Sequence, residues 1–290
     1  MTSCSSAAPF DVPQQSPSPA VISLIGHYVG TPPLVARDGA GKLDLGWLKS
    51  QENHIRGKIH HQLSNFEKTT DKSLKDFDPK TTREGNFAKR ASGEESLTAE
   101  QGDLYCQGAI SCNPSSSTTA KDEGRTFTIS YGDGSTTRGE VYYDSVTVAG
   151  LNAKNQAVGF VTTASSTTGA TSDGLVGMAY QSISTQRAPP YFASLCAQGV
   201  VPSGQFAFKL TAPEAELNLG ALDPNMYSRS VSYSPVTQQA YWQIAMGSAN
   251  VGGSARVTNR QAVIDAGTTL IYASSADGKA FYAGFPSVIP

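Results

Sequence analysis

The sequence predicts an all-β body behind a helical front segment, and three observations lead there. Thr126-Phe127-Thr128-Ile129-Ser130-Tyr131 alternates polar and apolar side chains and runs into Gly132-Asp133-Gly134-Ser135, a strand closed by a hairpin turn. Charged residues are only 16% of the chain while Ser, Thr, Gly and Tyr are plentiful, a mix that suits a β-rich extracellular protein. Leu48, Ile55, Ile59, Leu63 and Phe66 recur at helical spacing with charges between them.

With 290 residues, 39% of them apolar, the chain can build one large or two ordinary domains with real cores. The net charge of −2 points to no nucleic-acid partner. No apolar stretch is long enough to span a membrane. Charge is unevenly spread: residues 1–92 hold 12 Lys/Arg against 9 Asp/Glu, and the remainder 10 against 15. All four histidines, His27, His54, His60 and His61, lie in the basic front. Such a front and an acidic body can attract at neutral pH and separate in acid.

In chain order, residues 1–40 are rich in Pro, Ser and Gly and are expected to lack fixed structure. Residues 43–68 are expected to form one amphipathic helix, whose apolar stripe needs a surface to lie on. Residues 69–92 are polar and end in Lys89-Arg90, followed by the small and acidic Ala91-Ser92-Gly93-Glu94-Glu95, which reads as a dibasic processing site in an exposed linker. Strands are expected at Thr126–Tyr131, Gly139–Val148, Ala157–Thr162, Leu175–Gly177, Gln205–Leu210, Glu216–Leu219, Ser230–Pro235 and Tyr241–Met246, with a short helix at Pro190–Gln198. The N-terminus shows neither a basic n-region nor a continuous apolar run, so no signal peptide is visible. Cys4, Cys106, Cys112 and Cys196 are too few for a disulfide scaffold, although Cys106 and Cys112 are close enough to bridge a small loop. No metal-ligand spacing occurs, and no metal site is expected.

The motif with chemical content is Val263-Ile264-Asp265-Ala266-Gly267-Thr268-Thr269, an apolar strand running into a carboxylate and a glycine turn closed by hydroxyls. Two such carboxylates facing each other share one proton and activate a water. This turn, Tyr131-Gly132-Asp133-Gly134-Ser135, and Asp173-Gly174-Leu175-Val176-Gly177-Met178-Ala179-Tyr180 together resemble, in order, segments of the pepsin-like aspartic proteases, peptidase family A1, of the fungal secreted type. Asn218-Leu219-Gly220-Ala221-Leu222-Asp223 and Tyr241-Trp242-Gln243-Ile244 are also similar to that family, and the likeness covers most of residues 43–285.

The resemblance implies a bilobal pepsin-like acid protease fold: a propeptide-like region at 1–92, a first lobe with flap at 93–210 and a second lobe at 211–290. It also implies cofactor-free hydrolysis of extended peptides in acid, a zymogen held by its own propeptide, and an extracellular or vacuolar location. Asp265 takes the catalytic position, with Gly267, Thr268 and Thr269 as its turn. Tyr131, Gly132, Asp133 and Gly134 become the substrate-covering flap, glycines there letting backbone approach backbone. Leu175-Val176-Gly177 becomes the apolar buttress of the first active-site turn.

The sequence departs from the family pattern in three places. The first Asp-Thr/Ser-Gly turn, expected soon after Leu97–Tyr105, is absent, and Gly108-Ala109-Ile110-Ser111 joins Cys112-Asn113-Pro114 as though a segment were excised. The first lobe is therefore expected to be partial. The chain stops at Pro290, so much of the second lobe is expected to be missing, its own buttress included. Ala266 replaces the hydroxyl residue that holds the two turns together, a bond of about 1 kcal/mol. A defective endopeptidase is the resulting expectation. A non-catalytic peptide-binding pseudoprotease, or a homodimer rebuilding a dyad from two copies of Asp265, are the alternatives.

Overall fold

The computed structural model describes residues 20–24, 63–68, 70, 97–98, 103–106, 113–130, 136–164, 174–210, 215–266 and 271–285. In chain order these form β1 (Ala20–Leu24), α1 (63–68), β2 (Leu97–Thr98), β3 (Leu104–Cys106), β4 (Lys121–Ser130), β5 (Thr136–Val148), β6 (Leu151–Ala164), β7 (Gly174–Gly177) and α2 (Tyr191–Ala197). There follow β8 (Phe206–Lys209), β9 (Ala215–Leu219), β10 (Val236–Gln239), β11 (Trp242–Val251), β12 (Ser254–Val263) and α3 (Ser275–Tyr282). The architecture is all-β with few helices. Its sheets run β2-β7-β3-β6-β5-β4, β1-β9-β8 and β10-β11-β12.

The six-stranded sheet is built on the alternation read from the sequence. Phe127 and Ile129 of β4 are buried while Thr126 and Thr128 face out, as a strand with one wet face requires. Phe127 and Ile129 form a core with Val141, Ala157 and Ala188. Two glycines make room for the ring: a Cβ on Gly139 or Gly159 would stand 2.6 or 2.7 Å from Phe127, and at Gly139 also 2.1 Å from the Phe160 carbonyl. The β5–β6 turn is a two-residue hairpin in which Ala149 and Gly150 both take positive φ (49° and 80°) between the paired Val148 and Leu151. That is the type I′ pattern, whose twist matches the strands. Gly252 and Gly253 repeat it between Val251 and Ser254 of β11 and β12.

A second core lies where α2 packs on β6 and β9: Leu151, Ala153, Met178, Tyr191, Phe192, Leu195, Val201, Leu217 and Leu219. Pro190 opens this helix at its N-cap, where a missing N–H costs nothing. Tyr191 donates its hydroxyl to the Leu151 carbonyl (2.7 Å) and accepts from the Val148 amide (3.2 Å). Burial pushes its hydroxyl up to about 12.

Several expectations shift. Ser230–Pro235 is not a strand; the strand begins one residue later, at Val236. Pro235 has no N–H for a ladder, and Tyr233 is 77% exposed, so the earlier stretch has no face to bury. Ala20–Leu24, within the stretch expected to lack fixed structure, pairs antiparallel with β9. The 210/211 division read from the sequence falls in the connection of the paired β8 and β9. Of the long helix expected at 43–68, only residues 63–68 are described, and they are helical. No helix among the described residues is long and apolar enough to cross a membrane.

Candidate active site

Asp265 leaves the end of β12, half-buried, at the start of the turn formed with Ala266. The strand ahead is fixed by pairing: Val263 lies opposite Gln243, and the Ile264 amide donates to the Trp242 carbonyl at 3.0 Å. Val263 turns inward onto a small core, while Ile264 is exposed. Gly267, Thr268 and Thr269 lie outside the described residues, as do Tyr131, Gly132, Asp133 and Gly134 of the expected flap. The strands on either side of that flap are in place: β4 and β5 pair antiparallel up to Ser130 and Thr136.

The expected buttress, Leu175-Val176-Gly177, is β7. It runs antiparallel to β3 on one side and parallel to β2 on the other. Its last amide, Gly177, donates to the Asp103 carbonyl at 2.8 Å. The next residue reaches the other half of the site, because the Trp242 indole N–H donates to the Met178 carbonyl at 2.9 Å. Trp242 therefore holds the buttress by its side chain and the strand of Asp265 by its carbonyl. Its ring sits against Tyr180 (4.8 Å between centroids) and edge-on to Phe206 (5.3 Å). Ser182 adds a hydrogen bond to the Gln239 carbonyl (2.7 Å) across the same seam.

Among the described residues, the carboxylates nearest in sequence to the Ser111–Cys112 join have their own partners. Asp103 is only 5% exposed and accepts from the Ser184 hydroxyl (2.6 Å) and the Thr185 and Gln186 amides (2.9 and 3.1 Å). Gln186 in turn donates its side-chain N–H to the Leu104 carbonyl (2.8 Å), so residues 184–186 clamp the entry to β3. Asp122 accepts from the Gly124 amide (2.7 Å). Glu123 pairs with Arg125 at 2.6 Å, and that contact holds the guanidinium above its usual range. Behind the turn, Arg260 of β12 forks onto Asp277 of α3 (3.0 and 2.9 Å). Among the described residues no group of His, Cys, Asp and Glu is placed to hold a metal.

Sequence reasoning missed the Trp242 bridge and the Asp103 clamp. Nothing local to Trp242 announces that its indole reaches Met178, 64 residues away.

The all-β architecture, the β4–β5 hairpin and the aspartate turn after β12 define a pepsin-like fold. The eukaryotic aspartyl protease family model matches residues 94–284. The chain is 34% identical over 298 residues to an aspartic protease of Phaffia rhodozyma, covering 97% of this chain and 72% of that protein. It is 36% identical over 180 residues to pepsin II-2/3 of Oryctolagus cuniculus, covering 58% of this chain and 46% of that protein. It is also 36% identical over 174 residues to cathepsin D of Dictyostelium discoideum, covering 57% and 45%. The chain belongs to the eukaryotic aspartyl protease family. It spans less than half the length of the pepsin and cathepsin D relatives.

Proposed function

We propose that the intact form of this protein hydrolyses peptide bonds in acid, with Asp265 as one of two carboxylates that activate a water, and that the chain as it stands has little or no activity. The substrates of the intact form are extended peptides with apolar residues flanking the cut, covered by the hairpin of Tyr131, Gly132, Asp133 and Gly134. Residues 1–92 act as its propeptide, released by cutting at Lys89-Arg90, and it works outside the cell or in a vacuole without a cofactor.

The observation behind the inactive reading is the engagement of Asp103, Asp122 and Glu123. The Asp103 carboxylate holds one hydroxyl and two amides. Freeing a buried carboxylate from such partners costs several kcal/mol, on the order of ~3, before it could face Asp265. The aligned length with the Phaffia rhodozyma relative, 298 residues, exceeds the 290 of this chain, which supports a relative carrying internal residues that have no counterpart here. Ala266 weakens the remaining turn, having no hydroxyl to offer across the cleft.

The test is digestion of a denatured protein substrate by the full chain at acid pH, with and without an aspartic-protease inhibitor. No inhibitor-sensitive cleavage is expected. Restoring an Asp-Thr-Gly segment between Ser111 and Cys112 should raise cleavage above background, and Asp265→Asn in that restored chain should abolish it. Inhibitor-sensitive cleavage by the unmodified chain would falsify the inactive reading.

A further inference from the structure

We propose that residues 113–119 form an acid-opened loop: the Asp144 carboxylate latches them to the six-stranded sheet, and protonation of that carboxylate lets them go. Little else holds the segment. It reads Asn-Pro-Ser-Ser-Ser-Thr-Thr, with no charge and one proline as its apolar content. None of its residues is buried. Its short turn closes on itself. The Asn113 side chain accepts from the Ser115 amide, and the Ser116 and Ser117 amides donate to the Asn113 and Pro114 carbonyls. The Thr119 amide donates to the Ser117 hydroxyl, again within the loop.

Among the described residues, the hydrogen bonds from this loop to another element end on one atom, Oδ1 of Asp144 in β5. The Ser117 hydroxyl donates to it at 3.0 Å, and the Thr119 hydroxyl donates to it as well. The Ser145 amide is the third donor, at 2.7 Å. One oxygen takes three donors readily when it carries charge. A protonated carboxyl is a weaker acceptor and brings a hydrogen of its own into the cluster. Burial pushes the Asp144 carboxyl up, but Thr119, Ser145 and Ser117 more than offset it, so it lies below its ordinary value. A group lowered by folding holds its contacts above the unfolded value, near ~3.9, and gives them up as the pH falls through the folded one. The residue opposite Asp144 on β6 is the neutral Gln156. The other titratable groups nearby are Glu140, Tyr142 and Tyr143 of β5, Lys121 and Asp122 of β4, and Lys154 of β6. None of them is among the groups that move the Asp144 carboxyl. The switch therefore rests on one proton and neutral partners. It needs neither Asp265 nor peptide cleavage, so it stands or falls separately from the activity proposed above.

The experiment labels the threonine amides of the full chain with 15N and follows their NMR order parameters with pH. Thr118 and Thr119 should be rigid at about pH 6, near ~0.85, and fall below ~0.6 by about pH 2.5. Thr137, buried in β5, should stay rigid throughout and so report that the sheet is still folded. Asp144→Asn, which mimics the protonated carboxyl, should give the loosened loop already at pH 6 with Thr137 rigid, and it answers the question even if strong acid unfolds the wild type. Ser117→Ala and Thr119→Val each remove a donor and should move the midpoint of release up towards ~3.9. Glu140→Gln should leave the profile unchanged. One molar salt at pH 6 should not release the loop, because no ion pair holds it. A rigid loop in Asp144→Asn, a wild-type loop that is mobile at pH 6, release already complete at pH 5, or release by salt would each overturn the proposal.

Discussion

The six-stranded sheet and the three-stranded sheet carrying Asp265 are packed very differently. The first has Phe127, Ile129, Val141, Ala157 and Val158 all buried along its long strands. In the second, β12 buries only Val257, and the chain beyond it leaves Ile264, Ile271, Tyr272, Tyr282 and Phe285 exposed. In that region the rings of Phe281, Tyr282 and Phe285 lie 5.7 to 6.1 Å apart and face largely each other. The hairpin and buttress of the candidate site thus rest on a dense core. Its carboxylate rests on a hairpin with one thin apolar seam. The dense core and the candidate carboxylate lie in different places, so they should respond to different substitutions.

The largest expected contrast sets Phe127→Ala against Ile271→Ala. Phe127 fills space that Gly139 and Gly159 leave free, and neither glycine has a side chain that could collapse into the void. Its removal should cost about 3–5 kcal/mol in denaturant unfolding. Ile271 is 95% exposed, and its removal should stay within about 0.5 kcal/mol. Equal losses would mean that the exposed apolar side chains of the second region are covered in solution.

An intermediate effect should come from the bridge between the regions. Trp242→Phe keeps a ring against Tyr180 and Phe206 but deletes the N–H held by the Met178 carbonyl. The stability loss should be about 1–3 kcal/mol, the cost of a part-buried acceptor left without its donor. Amide exchange should quicken at Ile264 as well as Gly177, since both flank the bridge. If only one side quickens, the two halves are held by something other than Trp242.

Most of the six-stranded sheet was legible because its signals are local. Alternation sets β4, and Pro190 marks the start of α2. Ser230–Pro235 misled because β propensity there is not matched by a buried face. The site was legible only as chemistry. Asp265 stood out by its apolar lead-in, whereas the clamp on Asp103 by residues 184–186 depends on groups 81 to 83 positions apart. The helical spacing of Leu63 and Phe66 announced a helix needing a surface. Which surface was a matter of tertiary packing, and Ala179, Ile183, Ala240 and Tyr241 share no sequence pattern that would have named it.

The smallest expected effect concerns the base of the Asp265 turn and is visible mainly as a pH dependence. Arg260 and Asp277 tie β12 to α3, and so close the loop that contains Asp265. The Arg260 hydrogen bonds hold the Asp277 carboxyl below its usual range, helped by the Ser274 hydroxyl and opposed by partial burial. A carboxyl lowered by folding adds stability above its unfolded value, near ~3.9, and gives it up as the pH falls through the lower folded value. The wild-type advantage over Asp277→Asn in the protection of α3 amides should therefore be level from neutral pH to about 4 and close only below that. The pair is exposed on the Arg260 side, so 1 M salt should narrow the difference at every pH. An advantage already lost at pH 6 would show that the staple does not hold in the acid range where the proposed chemistry operates. The thinly packed half of the molecule would then need another restraint on the loop that carries Asp265.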